Sequence, residues 1–149
     1  MQRSLIFRLF QSLNPKELRD LKRFVRSPFH NKREDVIALF DFLAKQWPYK
    51  PPDKLKKELV FKQLFPRKAF DKKYFYHLCS FLKKIVEDYL IYQGIQSKKV
   101  KREIVLLQMY RQKGLARHFE ETTQNAIRHL EKDALRNADY HYHSYQLYQ

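Results

Sequence analysis

Residues 71–93, DKKYFYHLCSFLKKIVEDYLIYQ, limit what this chain can become more than any other stretch. Their polar members Lys73, His77, Ser80, Lys84 and Glu87 step by four, three, four and three. At 3.6 residues per turn this is one narrow stripe along a helix, with Lys83 and Asp88 beside it. The remainder is apolar or aromatic: Tyr74, Phe75, Leu78, Cys79, Phe81, Leu82, Ile85, Val86, Tyr89 and Leu90. A helix that is apolar around most of its circumference needs neighbours on several sides. Asp71 stands where an N-cap accepts from first-turn N–H groups, and Gly94 where a left-handed residue would close the helix. The expected fold is therefore all-α, a single compact bundle or short helical array of seven or eight helices, with residues 71–93 as its central buried helix.

Composition agrees. Only two glycines occur, with no Gly-Gly, Asn-Gly or Asp-Gly pair, so the tight hairpins of an all-β domain are missing. At 149 residues the chain has the size of one domain. Aromatic residues make up 15% of it, and each buries a large area, so few of them suffice for a core.

In chain order, residues 4–13 place Leu5, Ile6, Leu9, Phe10 and Leu13 at helical spacing. Asn14, Pro15 and Glu17 then give a capping box with proline at the first helical position, opening a helix to about Arg26. Ser27-Pro28 breaks it. Asn31 and Glu34 form a second box for a third helix, with Val36, Leu39, Phe40, Leu43 and Trp47 inward. Pro48, Pro51 and Pro52 predict a rigid connector. Asp53 is the expected cap of a fourth helix over 54–65, with Leu55, Leu59, Val60 and Leu64 inward. Residues 98–136 read as a helical hairpin. Its first helix closes at Gly114, and its second carries Phe119, Ala126, Ile127, Leu130 and Leu135. Asn137 would cap a last helix over 140–149.

That last helix carries Tyr142, Tyr145, Leu147 and Tyr148, an aromatic stripe without a stop signal after it. It suits docking on a partner, or the N-terminal piece of a longer protein. Folding back onto its own core is the bland alternative.

Net charge is +15, and residues 1–75 hold 19 Lys/Arg against 8 Asp/Glu. Such an excess attracts polyanions, although a solvated lysine-rich surface would look the same. The candidate polyanion-binding residues are Lys16, Arg19, Lys22, Arg23 and Arg26 on one helix, Lys32 and Arg33 beyond it, and Lys56, Lys57, Arg67 and Lys68.

Several chemistries lack their sequence signatures. Gly94 and Gly114 are isolated, so no glycine-rich phosphate loop exists, and there is no Gly-x-Ser-x-Gly. His141 and His143 diverge by about 200° on a helix and cannot share a metal. His118 with Glu121, and His129 with Asp133, offer two ligands each where zinc wants three or four. The one cysteine, Cys79, reads as a small buried hydrophobe and permits no internal disulfide, in keeping with a reducing cytoplasm. No apolar run approaches a signal-peptide core or a membrane span. No cofactor, metal, membrane or small-molecule substrate is expected, and no enzymatic activity.

The segment NPKELRDLKRFVRSPFHNKREDVIALFDFL, with QLFP and FDKKY further on, resembles the N-terminal region of an uncharacterised family of larger all-helical bacterial proteins. Pro15, Lys16, Glu17, Arg26, Ser27, Pro28, Phe29, Asn31, Lys32, Arg33, Glu34, Phe65 and Pro66 carry the resemblance, in the first half of the chain. Asn14 and His30 depart from it, standing where serine and an aromatic residue are expected. The resemblance implies a longer helical parent and brings no activity with it. The functional expectation is a non-catalytic helical interaction domain that binds a protein partner or the rest of its own parent chain. RNA or DNA binding through the basic first half is its rival.

Overall fold

The computed structural model describes residues 5–47, 56–132 and 138–148. They form α1 (Leu5–Ser12), α2 (Pro15–Arg26), α3 (Glu34–Gln46), α4 (Lys57–Leu64), α5 (Lys72–Gln96), α6 (Lys99–Gln112), α7 (Ala116–Glu131) and α8 (Ala138–Leu147), with no strand among the described residues. The chain is all-α. Its contacts fall into two compact units, Met1–Leu90 and Ile91–Gln149, and the division lies inside α5.

The first unit has the larger interior. Ile6, Phe7, Phe10 and Leu13 meet Leu21 and Val25 of α2, Val36, Leu39, Phe40 and Leu43 of α3, and Val60 and Phe61 of α4. From α5 come Phe75, Leu78, Leu82, Ile85, Val86 and Tyr89. Phe10 and Phe40 lie 5.6 Å apart between ring centroids. Phe61 is ringed by Phe65, Phe70, Tyr74 and Phe75 at 5.0–6.2 Å, in tilted and edge-on arrangements that aromatic quadrupoles favour. The polar stripe of α5 faces outward as its spacing requires: Lys73, His77, Ser80 and Lys84 are exposed and Glu87 is half-buried.

Local signals held where they were self-contained. Asn14 Oδ1 accepts from Glu17 N at 2.9 Å while Asn14 N donates to Glu17 Oε2 at 2.8 Å, a complete capping box. Asp71 Oδ1 accepts from Tyr74 N at 2.9 Å. At Gly114, φ is +69°, and Leu115 N and Gly114 N donate to Tyr110 O and Arg111 O. This is the paired hydrogen bonding of a Schellman close.

Three local expectations are corrected. Asn31 does not cap α3, which opens at Glu34 with Arg33 as its uncapped N-cap residue. Asn31 is buried instead, and its amide donates to Val25 O at 3.0 Å and Arg33 O at 3.2 Å while accepting from Arg33 N at 2.9 Å. It is a tie within the α2–α3 connection. Gly94 does not end α5, which continues to Gln96, because Gly94 does not take the left-handed conformation that closes a helix and an isolated glycine is tolerated within one. In α4 the buried pair is Val60 and Phe61, and Leu59 is 53% exposed. Leu59 and Phe61 are about 200° apart on the wheel, so burying the larger ring turned Leu59 out. The α4 start is at Lys57, and the expected cap Asp53, like the 48–52 connector, Leu55, Leu135 and Asn137, lies outside the described residues.

The second unit is built on the α6–α7 hairpin, against which α8 packs. Val100, Ile104 and Leu130 form its buried cluster, with Tyr140 and Leu147 against them. Leu107 and Ala126 are buried as well. Glu103 on α6 and His129 on α7 meet at 2.7 Å, and Lys98 pairs with Asp139 of α8.

Candidate functional site

The basic residues divide into those the fold uses and those it leaves to solvent. Arg26 reaches from α2 to α3 and donates to both Asp41 oxygens at 2.7 and 2.6 Å. Arg33 grips Asp35 through Nε and an NH2 nitrogen, at 3.1 and 2.7 Å, and lies over the Phe81 ring at 4.9 Å. Asp35 also accepts from the Tyr74 hydroxyl at 2.6 Å and from Val36 N at 2.9 Å. Arg33 first, with Tyr74 assisting against burial, holds the Asp35 carboxyl below the usual carboxylate range. The same carboxylate pushes the Tyr74 phenol up. Lys57 donates to the Tyr76 hydroxyl at 2.6 Å and sits over its ring, which pulls that phenol down. Lys68 lies over Phe65 and Tyr74. Arg33 over Phe81 and Lys68 over Tyr74 cover aromatic faces that the apolar reading of α5 assigned to neighbouring helices.

Lys16, Arg19, Lys22, Arg23, Lys32, Lys56 and Arg67 are exposed and form no salt bridge with a described residue. On α2, Lys16, Arg19, Lys22, Arg23 and Arg26 fall in one sector of about 120°. No acidic residue interrupts that sector, because Glu17 and Asp20 lie on its flank. The turn that follows lies at the break expected from Ser27-Pro28, but the outward ring it carries was not foreseen. Ser27 O accepts from His30 N at 3.0 Å and Asn31 N at 2.9 Å. The His30 ring stacks on Phe24 at 3.7 Å with 16° between planes. Phe29, edge-on to His30, is 90% exposed. Pro28, Asn31 and the stack fix the turn, so the Phe29 ring is held out in water. The Pro-Phe pair was visible in the sequence, but nothing local distinguishes an outward phenylalanine from a core one.

In the second unit, α8 presents Tyr142 and Tyr145 at 59% and 62% exposure, and Tyr148 just past its end is 74% exposed. Leu147, grouped with them by sequence, faces the α6–α7 cluster instead. His143 is buried and His141 exposed, the divergence that helical spacing demands. Apart from Asp139, α8 carries no acidic or basic side chain other than its two histidines.

Burial pushes the Cys79 thiol up to about 11, which leaves little thiolate near neutral pH. Among the described residues no three His, Cys, Asp or Glu side chains gather as metal ligands. A cavity of about 140 Å³ between α6, α7 and α8, lined by Ile104, Leu107, Arg111, Phe119 and Leu147, is well below the roughly 300 Å³ at which ligand pockets begin. No described helix is long and apolar enough to cross a membrane. Comparison with protein-family models, curated proteins and solved structures finds no match to this chain.

Proposed function

We propose that the chain is a non-catalytic helical interaction domain whose α8 docks on a protein surface, supplied by a partner or by the rest of its own parent chain. One observation carries the reading: in a chain of net charge +15, α8 and the residue after it offer three exposed tyrosines, Tyr142, Tyr145 and Tyr148, and no lysine or arginine. Protein interfaces are depleted of charge at their cores and enriched in tyrosine. A tyrosine brings a large apolar face and a hydroxyl that stays hydrated until the partner arrives. The remaining packing face of α8 is already used by Leu147 and His143, so the stripe is presented by an anchored helix.

A photo-crosslinking amino acid at position 145, with the same group at Glu120 on α7 as control, tests this in cells. A defined adduct at 145 that is absent at 120 and lost with Tyr142→Ser plus Tyr148→Ser is expected. No adduct at 145, or equal labelling at both positions, would end the proposal. Light scattering over a concentration series identifies the case in which the partner is a second copy.

A further inference from the structure

We infer that the α2 face and the turn after it form a binding site for single-stranded nucleic acid, with Phe29 as the stacking ring and Arg19, Lys22, Arg23 and Lys32 as phosphate contacts. The site is independent of α8 and lies wholly in the first unit.

Single strands are held by combining a cationic track for the backbone with aromatic faces for the bases. Both parts are present here and adjoin in sequence. Along α2, Lys16, Arg19, Arg23 and Arg26 advance by three, four and three residues, so at 1.5 Å per residue a cation recurs every 4.5–6 Å. Lys22 lies beside them in the same sector, and Lys32 follows the turn, exposed. Arg26 is committed to Asp41, so its share of phosphate attraction is reduced. Three residues beyond Arg26, Phe29 is presented at 90% exposure on a turn fixed by Pro28, by the two hydrogen bonds to Ser27 O and by buried Asn31. Because that turn is already ordered, little conformational entropy is lost when a base stacks on the ring.

The surroundings choose between a nucleic acid and an acidic protein. A protein partner anchored on Phe29 would want an apolar ring of neighbours around it, since interface cores exclude charge. The residues beside it in sequence are instead Ser27, Pro28, His30 and Asn31, with Arg26 and Lys32 three positions away on either side, so the turn supplies no large apolar surround. A base needs only a ring face, and its phosphates need the cations. Duplex DNA fits less well, because an aromatic ring projecting from a turn meets no free base face in a stacked helix.

The test is binding of a short fluorescent oligouridylate to the whole chain between about 50 and 200 mM salt, with a duplex of equal length and a polyglutamate of equal charge as competitors. The expected result is preference for the single strand, with affinity that falls as salt rises. Phe29→Ala should weaken binding between about five- and a hundred-fold and leave the salt slope unchanged, and Phe29→Trp should restore it. Arg19→Gln with Arg23→Gln should lower the slope by roughly 1.4, at about 0.7 per lost phosphate contact. All three substituted side chains are exposed, and unchanged thermal melting of each variant shows that the fold is intact. Equal binding of the duplex or of polyglutamate, or a Phe29→Ala variant that binds like the parent, would overturn the inference.

Discussion

The two units use their aromatic residues in opposite ways. Eleven of the 12 phenylalanines lie in Met1–Leu90, whereas six of the ten tyrosines lie in Ile91–Gln149. In the first unit Phe10, Phe40, Phe61 and Phe75 are among the most completely buried side chains of the described chain. In the second, Tyr92, Tyr142, Tyr145 and Tyr148 are each more than half exposed. A phenyl ring has no reason to stay in water, while a phenol buried without a partner pays for its lost hydration. The first unit thus builds a dry interior and wears its cations outside. The second keeps a small interior of Val100, Ile104 and Leu130 and an aromatic exterior.

The comparison is most exposed to failure in the cores. Phe40→Ala should destabilise the first unit by about 3–5 kcal/mol, because Phe40 is completely buried against Phe10. Leu130→Ala should cost about 2 kcal/mol, the lower end for such truncations, since fewer apolar groups surround it. Urea titration followed by Trp47 fluorescence, which reports the first unit, and by circular dichroism, which reports both, separates them. Leu130→Ala should leave the Trp47 midpoint in place. Coincident transitions in every variant would mean that the units unfold as one cooperative block.

A smaller effect tests the connection that holds Phe29 out. Asn31→Ala should lower the Trp47 midpoint by the equivalent of about 1–3 kcal/mol, because Val25 O loses its donor in a buried place. A neutral result would show that the turn is held by Pro28 and the His30–Phe24 stack alone.

The glycines of the second unit should respond with opposite signs. Gly114→Ala forces a side chain into the left-handed region, at about 1–2 kcal/mol. Gly94→Ala fills open space inside α5 and should stabilise by about 0.5–1 kcal/mol. Thermal melts of both variants check the pair, and a destabilising Gly94→Ala would show that α5 does not run through position 94.

The smallest effect is electrostatic and belongs to the first unit. Asp35 has a depressed folded pKa, so its contribution is present above the unfolded carboxylate range, about 4, and is lost as pH falls through the folded value. Tyr74 has a raised one, so its contribution holds below about 10 and is lost as pH rises through the folded value. Stability from this pair should therefore be flat between those limits and decline at both ends. Tyr74→Phe should shrink both the alkaline and the acid decline, measured as Trp47 midpoints across pH, with Tyr89 and Cys79, whose burial also raises them, leaving an alkaline remainder.

The features legible in the sequence are those decided within a turn or two of chain. The capping box at Asn14, the Asp71 cap and the Gly114 close each need only neighbours in sequence, and each was read correctly. Asn31 carries the same Asn-x-x-Glu pattern as Asn14 and was misread, because its amide has stronger claims on Val25 O across the connection. Of the residues expected to bind polyanions, Arg26, Arg33 and Lys57 acquired partners that no local spacing announces, since Asp41, Phe81 and Tyr76 come to them only through packing.

By itself the sequence determined that the chain is helical, where most helices begin and end, and that its exterior is cationic, because periodicity, caps and charge are properties of neighbouring residues. Only the tertiary structure decided which apolar side chains go in and which stay out, turning Leu59 and Phe29 to water and Phe61 to the core. Burial is a competition for limited interior volume among residues distant in sequence, and its outcome is fixed by what each helix meets.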